Sequence, residues 1–201
     1  KNGDRYKCSD IPYEFVFSGG AWVPFYGGFK ATLPDGTANF TAINSGSFVN
    51  SSGGMLMTST ASNGYQPFTR NAPSTPYTIE VGFEGIADGI NSIFGLCFSD
   101  GTKYMYFGIS NDLFTQYSSN YSTYVSNPSL ITGGGRTIQG GKVWMRIGDD
   151  GTTNRTYSIS KDGTNFVQVY SEGRTTNLTA TKVGIWMYST TGAVFQQFIF
   201  S

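Results

Sequence analysis

Residues 142–170 read KVWMRIGDDGTTNRTYSISKDGTNFVQVY, and this stretch decides the fold class. Apolar and polar side chains alternate along residues 142–148 and 155–160, a pattern typical of strands that bury one face. Asp-Gly pairs at 150–151 and 162–163 separate the strands. Asp-Gly favours tight hairpins because glycine adopts a positive φ without a steric clash. The stretch therefore predicts three antiparallel strands joined by two hairpins, over 142–160 and 155–170.

Comparable runs occur along the whole chain and predict about a dozen strands. They cover residues 13–17, 29–32, 39–43, 54–59, 77–83, 92–97, 104–110, 142–148, 155–160, 166–170, 182–188 and 195–200. A further Asp-Gly pair at 100–101 predicts a hairpin over 92–110. Residues 111–141, rich in Tyr, Ser, Asn and Gly and containing a triple glycine at 133–135, are predicted to form a long loop, and such loops are often functional. We predict an all-β protein, an antiparallel β-sandwich of two packed sheets.

The composition excludes several classes of function. The 13 basic and 13 acidic side chains cancel, and only 13% of residues are charged, so no electrostatic field attracts nucleic acid or an anionic membrane. The chain has no histidine, which excludes zinc sites, Ser-His-Asp triads and Cys-His pairs. No apolar run approaches the roughly 20 residues that a membrane helix needs, so membrane insertion is not expected.

The length of 201 residues fits one domain of all-β type. Residues 1–12 are predicted to form an N-terminal arm or linker, and residues 13–201 a single domain. Cys8 lies in the polar arm and Cys97 in an apolar run. Both a long-range disulfide and two free thiols are compatible with this pair.

The pattern W-x-R at 144–146, followed by S-x-D-G-x-x-F at 160–166, resembles the hairpins of the concanavalin A-like lectin/glucanase superfamily. The strands at 182–188 and 193–200 are similar to the way such domains end, and 76–84 resembles the strand that opens their core. The resemblance implies a jelly roll of the laminin G-like kind. The neutral composition of the chain, rich in Gly, Ser, Thr, Asn and Tyr, looks like that of domains on phage tail, appendage or bacterial surface proteins. It implies an extracellular or virion-surface location and a homo-oligomer, often a trimer, within a larger fibre or particle.

Alternation places candidate sugar-binding residues on the outer faces of two strands. Trp144 and Arg146 share one face of their strand, and Trp186 and Tyr188 share one face of theirs. Aromatic rings stack on the C–H faces of sugars, and polar side chains bind the hydroxyl groups. If the two strands lie in one sheet, an aromatic platform with an arginine results. Burial of each tryptophan in the core is the competing interpretation.

The segment 114–124 supplies a second set of candidates. Tyr117, Asn120, Tyr121 and Tyr124 have the composition of adaptable recognition loops, in which tyrosine provides contact area and asparagine provides hydrogen bonds. The alternative is a loop that packs its tyrosines onto the sheet or onto a neighbouring subunit.

Calcium is considered because many lectin-like sandwiches similar to this chain carry it. Asp149 and Asp150 are the candidate ligands, although a hairpin turn explains the same residues. No other cofactor is expected.

Three functions compete. The leading one is a non-catalytic, lectin-like module that binds a glycan or polysaccharide on a cell surface, as a phage receptor-binding or virion-adhesion domain. The second is a structural, assembly or decoration domain with no sugar site. The third, a polysaccharide-degrading glycosidase, lacks the E-x-D-x-x-E strand of the similar glucanases. Glu80 and Glu84 are about 13 Å apart on an extended strand, too far for either hydrolytic mechanism. A pair from different segments, such as Glu80 with Asp88, stays open, but no enzyme is expected.

Overall fold

The computed structural model describes the side chains of residues 40–44, 64–83, 93–110, 112–126, 128–132 and 142–188. It describes the backbone alone at 5–7, 14–18, 21–26, 29–30, 47–51, 54–58, 84–86 and 194–200. These residues form strands and turns. Within them, no helix has the length and apolarity needed to cross a membrane.

The first strands of the chain form a four-stranded antiparallel sheet of their own. Its strands are β1 (Arg5–Lys7), β2 (Glu14–Ser18), β3 (Ala21–Tyr26) and β4 (Phe29–Lys30), in chain order. Arg5 pairs with Val16, so a backbone ladder crosses the domain boundary that the sequence predicts at residue 13. That the domain proper begins there stays a prediction.

An eight-stranded antiparallel sheet forms one layer of the sandwich. Its strands are β5 (Thr41–Ala42), β8 (Tyr65–Asn71), β10 (Ile93–Ser99), β11 (Tyr104–Ile109), β12 (Leu113–Ser118), β13 (Tyr124–Ser126), β14 (Ser129–Ile131) and β18 (Lys182–Tyr188). The order across the sheet is β13, β12, β11, β10, β18, β8 and β5, and β14 also pairs with β12.

A seven-stranded antiparallel sheet forms the other layer. Its strands are β6 (Ser47–Ser51), β7 (Gly54–Thr58), β9 (Tyr77–Ile86), β15 (Lys142–Asp149), β16 (Asn154–Ser160), β17 (Val167–Gly173) and β19 (Val194–Phe200). Their order is β17, β16, β15, β9, β19, β7 and β6. The prediction of an all-β sandwich with two antiparallel sheets is confirmed.

The core lies between these two sheets and is filled by alternate residues of their strands. Val143, Met145 and Ile147 of β15 enter it from the seven-stranded sheet. Alternate residues of β18, namely Val183, Ile185 and Met187, enter it from the eight-stranded sheet. The alternation predicted for both strands is therefore confirmed. A fully buried side chain of this kind contributes about 1.5–3 kcal/mol relative to an exposed one.

All three Asp-Gly hairpins are confirmed. They join β10 to β11, β15 to β16, and β16 to β17. Their glycines, Gly101, Gly151 and Gly163, have φ angles of 102°, 79° and 71°. These left-handed conformations are the reason the turns select glycine.

The predicted loop over 111–141 is wrong over most of its described part. Leu113–Ser118 form β12, which pairs with β11, and the short strands β13 and β14 pair with β12 in turn. Both faces of β12 are buried: Leu113 enters the core, and Phe114 belongs to a second apolar cluster on the outside of the sheet. Thr115 and Gln116 lie between apolar residues, so no clean alternation marks the strand in the sequence. The glycines at 133–135 lie outside the described residues.

Cys97 carries a free thiol that is fully buried on the outer side of the eight-stranded sheet. Burial raises the pKa of this thiol. Cys8, its candidate partner in the sequence, lies outside the described residues.

A buried ion pair closes one end of the core. Arg155 is fully buried, and its Nη2 atom lies 3.2 Å from Oε1 of Glu172. The same nitrogen donates to the carbonyl oxygen of Thr176 at 2.7 Å, whereas Nε and Nη1 have no partner among the described residues. The hydroxyl of Tyr157 also donates to Glu172. Burial raises the pKa of Glu172, and the Tyr157 hydrogen bond and the Arg155 guanidinium partly offset that effect.

We predict that Glu172→Gln lowers the free energy of unfolding by about 3–5 kcal/mol, because it leaves the Arg155 guanidinium buried without a counter-charge. Urea denaturation at pH 7.5 measures the change. The matched control is Glu80→Gln, because Glu80 pairs with Arg146 at 2.6 Å in a partly exposed position, where loss of the pair costs about 0–1 kcal/mol. Equal losses in the two variants would contradict the assignment.

Candidate functional site

The two strands that carry the candidate tryptophans lie in opposite sheets. β15 belongs to the seven-stranded sheet and β18 to the eight-stranded sheet. Trp144 and Arg146 therefore lie on one outer face of the sandwich, and Trp186 and Tyr188 lie on the other. The predicted single platform, which required both strands in one sheet, is wrong. Alternation fixes which side of a strand a residue occupies, but it does not fix which sheet the strand joins.

Trp144 is covered by backbone on the outer face of the seven-stranded sheet. Only 8% of its surface is exposed. A Cβ atom placed on Gly163 would lie 2.7 Å from Cε2 of the indole, and one on Gly82 would lie 3.1 Å from the ring. The turn between β16 and β17 thus folds back onto Trp144, and the ring faces no open surface.

Arg146 is likewise held by neighbours on this face. Its Nη2 atom lies 2.6 Å from Oε1 of Glu80. Its guanidinium carbon lies 3.5 Å from the ring centroid of Phe166, which follows the turn. The arginine is thus engaged by a carboxylate and an aromatic ring.

The turn is stabilised by Ser160 and Asp162. Ser160 Oγ accepts the N–H group of Gly163 at 2.9 Å. Asp162 accepts the N–H groups of Thr164 and Asn165, each at 2.8 Å. These hydrogen bonds, with that of Asn165 first, lower the pKa of Asp162. The S-x-D-G-x-x-F stretch thus builds a cap over Trp144 and Arg146, which is a structural role.

Trp186 lies in an aromatic layer on the outer face of the eight-stranded sheet. Phe114, Gly108, Gly95 and Trp186 follow one another across neighbouring strands. A Cβ atom on Gly108 would lie 2.6 Å from Cζ2 of the indole, so the glycine provides the space in which the ring lies. The indole Nε1 donates to the carbonyl oxygen of Phe107 at 3.3 Å. Trp186 is fully buried in this layer.

Tyr65, which the sequence did not single out, lies at the centre of this layer. Its ring stacks on Tyr106 and on Trp186, with centroid distances of 5.2 and 5.4 Å. It also contacts Tyr188 at 5.2 Å. Its hydroxyl donates to Oε1 of Gln116 at 2.9 Å. Burial raises the pKa of Tyr65, the hydrogen bond to Gln116 opposes this, and the nearby hydroxyls of Tyr188 and Tyr124 raise it further.

The candidate loop residues divide between the two sides of the sheet. Tyr121 and Tyr124 are exposed, by 37% and 56%. The carbonyl oxygen of Tyr121 accepts the hydroxyl of Tyr106 at 2.7 Å, which ties the loop to the aromatic layer. Asn120 accepts the N–H group of Thr123 at 2.8 Å and so closes the turn. Tyr117 packs against the core.

Three tyrosines border this aromatic layer: Tyr188, which is half-buried and contacts Tyr65, and Tyr121 and Tyr124, which are exposed near Tyr106 and Tyr65. We call this set the tyrosine rim. It offers ring faces and neutral hydroxyl groups at one end of the outer face of the eight-stranded sheet. Such a set suits a ligand with both apolar C–H faces and hydroxyl groups.

Three contributors to this region were missing from the sequence-based candidates: Tyr65, Tyr106 and Gln116. Pro67 interrupts the run that becomes β8, and proline argues against an interior strand. The alternation of Tyr104 and Tyr106 with Met105 and Phe107 was the signal available for the second residue. No comparable signal marks Gln116.

The carboxylates of Asp149 and Asp150, the candidate calcium ligands, are engaged by donors of the protein itself. Oδ1 of Asp149 lies 2.6 Å from Nε of Arg174 and accepts the N–H group of Gly151. Oδ1 of Asp150 accepts the N–H groups of Thr152 and Thr153, each at 2.8 Å. A cation at these oxygens would have to compete with a guanidinium and with N–H donors. Among the described residues no cluster of three or more potential metal ligands occurs. Calcium binding stays an untested prediction.

The acidic residues of the seven-stranded sheet give no catalytic pair among the described side chains. Glu80 is bound to Arg146. Asp88, its candidate partner, lies outside the described residues, as does the side chain of Glu84. Among the described side chains, the partner of Glu80 is therefore an arginine, and the pairing of Glu80 with Asp88 stays untested.

Comparison with solved structures identifies the fold. The chain is similar to carbohydrate-binding module CBM66 from Bacillus subtilis, with a TM-score of 0.57 and 13% identity over 81% of this chain and 93% of that one. It is similar to lectin I-B4 from Griffonia simplicifolia in its metal-free form, with a TM-score of 0.52 and 12% identity over 85% and 94%. The chain therefore shares the antiparallel β-sandwich fold of these structures. The predicted resemblance is therefore confirmed at the level of the fold.

A similar fold also occurs as part of a much longer protein. The GH43B protein of a Bacteroides ovatus xyloglucan PUL also matches, with a TM-score of 0.51 and 13% identity over 81% of this chain but only 36% of that one. No family model matches the chain. No curated protein matches it. The β-sandwich fold shared with these structures is thus established, and the ligand has to be argued from the tyrosine rim.

We predict that Gly163→Ala lowers the free energy of unfolding by about 2–4 kcal/mol, because the new methyl group meets Trp144 and the turn needs a positive φ. Gly101→Ala is the matched control. Gly101 also has a positive φ in a hairpin, but the nearest atom to a Cβ there is Lys182 Cε at 3.9 Å. Its expected cost is about 1–2 kcal/mol. Equal losses in urea denaturation would disprove the capping role.

We predict that removal of divalent metal leaves the protein unchanged, because the oxygens of Asp149 and Asp150 are already occupied. Thermal unfolding is measured after dialysis against EDTA and again with millimolar calcium. The two midpoints should agree within about 1 °C, whereas occupancy of a site at high excess of ligand would add a few kcal/mol and raise the midpoint by several degrees. Such a rise would establish a calcium site.

Proposed function

We propose that the protein is a non-catalytic carbohydrate-recognition module that binds glycan at the tyrosine rim. The observation that carries the proposal is the convergence of two separate candidate segments on one face. Tyr188 from the strand of Trp186, and Tyr121 and Tyr124 from the segment 114–124, border the same aromatic layer around Tyr65 and Tyr106.

The chemistry of the rim supports this proposal. Exposed phenol rings stack on the C–H faces of sugars, and their hydroxyls donate and accept hydrogen bonds with sugar hydroxyls. Gln116 adds an amide that is already ordered by Ser118, to whose Oγ its Nε2 donates at 3.0 Å. Preorganised side chains lose little conformational freedom on binding.

The solved structures of similar fold agree with the proposal. One is named as a carbohydrate-binding module and another as a lectin. Fold alone does not establish function, so these names add support to an argument that stands on the rim. The proposed ligand is a glycan on a cell surface, and the proposed location of the protein is extracellular or on a virion surface, in a phage receptor-binding or adhesion role, as the composition of the chain suggests.

A second candidate function has its own observation. The described edge strands β13, β14 and β17 carry exposed aliphatic side chains: Val125, Ile131 and Val167, exposed by 51%, 41% and 65%. An apolar cavity of about 350 Å³ lies between Ile131 and Val167. Exposed aliphatic residues on edge strands, which have one side unpaired, favour contact with another protein. An assembly or decoration domain, as in a trimer, is therefore the alternative function.

We predict that the protein binds at least one polysaccharide of an immobilised panel of mannan, dextran, galactan, xylan and bacterial surface polysaccharides. Tyr124→Ala should weaken that binding tenfold or more, in line with the loss of one stacking contact and its hydrogen bond of about 1.5 kcal/mol. Val167→Ser, on the other sheet, should leave it unchanged.

Light scattering of the same sample separates the two candidate functions. A monomer that binds glycan supports recognition. A stable oligomer that Val167→Ser dissociates, with no glycan retained at high protein concentration, would replace the proposal by the assembly role.

A further inference from the structure

Tyr65 lies between the indole of Trp186 and the solvent. The two rings are nearly parallel, at 24°, with centroids 5.4 Å apart. The rings of Tyr106 and Phe114 meet the same indole at 43° and 76°. Among the described side chains, Tyr65 is therefore the one that stacks on Trp186. Trp186 is fully buried, whereas Tyr65 is half-buried.

The contacts of Tyr65 match those that a sugar ring makes in a protein site. Its apolar face lies on an indole, and its hydroxyl donates to the amide oxygen of Gln116 at 2.9 Å. A pyranose presents the same combination, with a C–H face and hydroxyl groups at its edge. Ser118 holds the amide of Gln116 through a separate hydrogen bond of 3.0 Å. The acceptor oxygen of Gln116 would therefore remain in place without Tyr65.

We infer that Trp186 and Gln116 form a covered sugar subsite, which Tyr65 fills in the free protein and which a pyranose ring takes by displacing the phenol ring. The inference rests on the proposed carbohydrate function and adds a stacking position to it. Tyr65 is the first residue of β8, its backbone pairs with Tyr188, and Gly64 precedes it with a φ of 138°. Rotation of its side chain uncovers the indole and leaves this pairing intact.

Displacement of Tyr65 reduces the apparent affinity for the ligand. The subsite is open only for the fraction of time in which the phenol ring has left, and the apparent dissociation constant rises by the inverse of that fraction. A substitution that removes the phenol ring of Tyr65 leaves the subsite open all the time, so the apparent affinity is no longer reduced. The subsite thus predicts tighter binding on loss of Tyr65, the opposite of what loss of a rim contact does.

The experiment compares Tyr65→Ala, Tyr65→Phe and Tyr188→Ala with the wild-type protein. Fluorine NMR of protein labelled with fluorotryptophan reports the solvent exposure of Trp186 without any ligand, and Trp186→Phe assigns its signal. In Tyr65→Ala this signal should shift on exchange of the solvent into D₂O. Tyr188→Ala is the matched control, because Tyr188 also contacts Tyr65. In Tyr188→Ala the signal of Trp186 should stay shielded from solvent. Tyr65→Phe, which keeps the ring and loses the bond to Gln116, should expose the indole less.

Binding to the same polysaccharide panel completes the test. Tyr65→Ala should bind the retained polysaccharide roughly tenfold tighter than wild type. The ligand then no longer has to break the stack of Tyr65 on Trp186 and its hydrogen bond to Gln116. A Trp186 signal that stays shielded in Tyr65→Ala overturns the subsite whatever the binding data. Exposure of Trp186 with weaker binding also overturns it and leaves the carbohydrate function standing, with Tyr65 as a rim contact. Exposure with no polysaccharide retained by any variant overturns both.

Discussion

Burial of one face of every long strand between two sheets is the constraint on which the rest of the structure depends. Side chains alternate along a strand, so each residue that enters the core sends its neighbours to an outer face. In β15 and β18 the core takes the aliphatic residues and methionines, and the tryptophans are left outside. Two outer faces rich in aromatic residues are the direct consequence of this packing.

The sandwich treats its two outer faces differently. On the seven-stranded sheet, the turn between β16 and β17 covers Trp144, and Phe166 covers Arg146. On the eight-stranded sheet, Gly108 leaves room for the ring of Trp186 to lie close to the backbone. Tyrosines then build a second layer around it, with Tyr121 and Tyr124 exposed at its border. The first face is closed by local chain geometry, and the second presents side chains that a ligand can reach.

The sequence was sufficient for features that depend on neighbours along the chain. The three hairpins follow from Asp-Gly at fixed positions, and the faces of β15 and β18 follow from alternation. The sequence did not predict which strands pair with one another. No local pattern indicates that β15 and β18 lie in opposite sheets. The strand β8 was hidden by Pro67, and with it the central position of Tyr65. Gln116 belongs to a strand buried on both faces, where polar residues do not mark a surface.

The candidate site shows the same division. Exposed Tyr121 and Tyr124 and the outward direction of Trp186 and Tyr188 could be predicted from composition and period. Coverage of Trp144 by Gly163 could not, because it depends on a turn folding over a sheet. Asp149 had a partner, Arg174, that is distant in the sequence. A local sequence pattern cannot predict the role of a residue when that role depends on contacts with residues distant in the sequence.

The central claim is that the outer face of the eight-stranded sheet is the recognition face. Proton–nitrogen correlation spectra test it most directly, since each tryptophan gives its own indole N–H signal and Trp186 and Trp144 report opposite faces. During titration with the polysaccharide that the panel retains, the signal of Trp186 should move and that of Trp144 should stay in place. Movement of Trp144 with Trp186 unchanged would contradict the account.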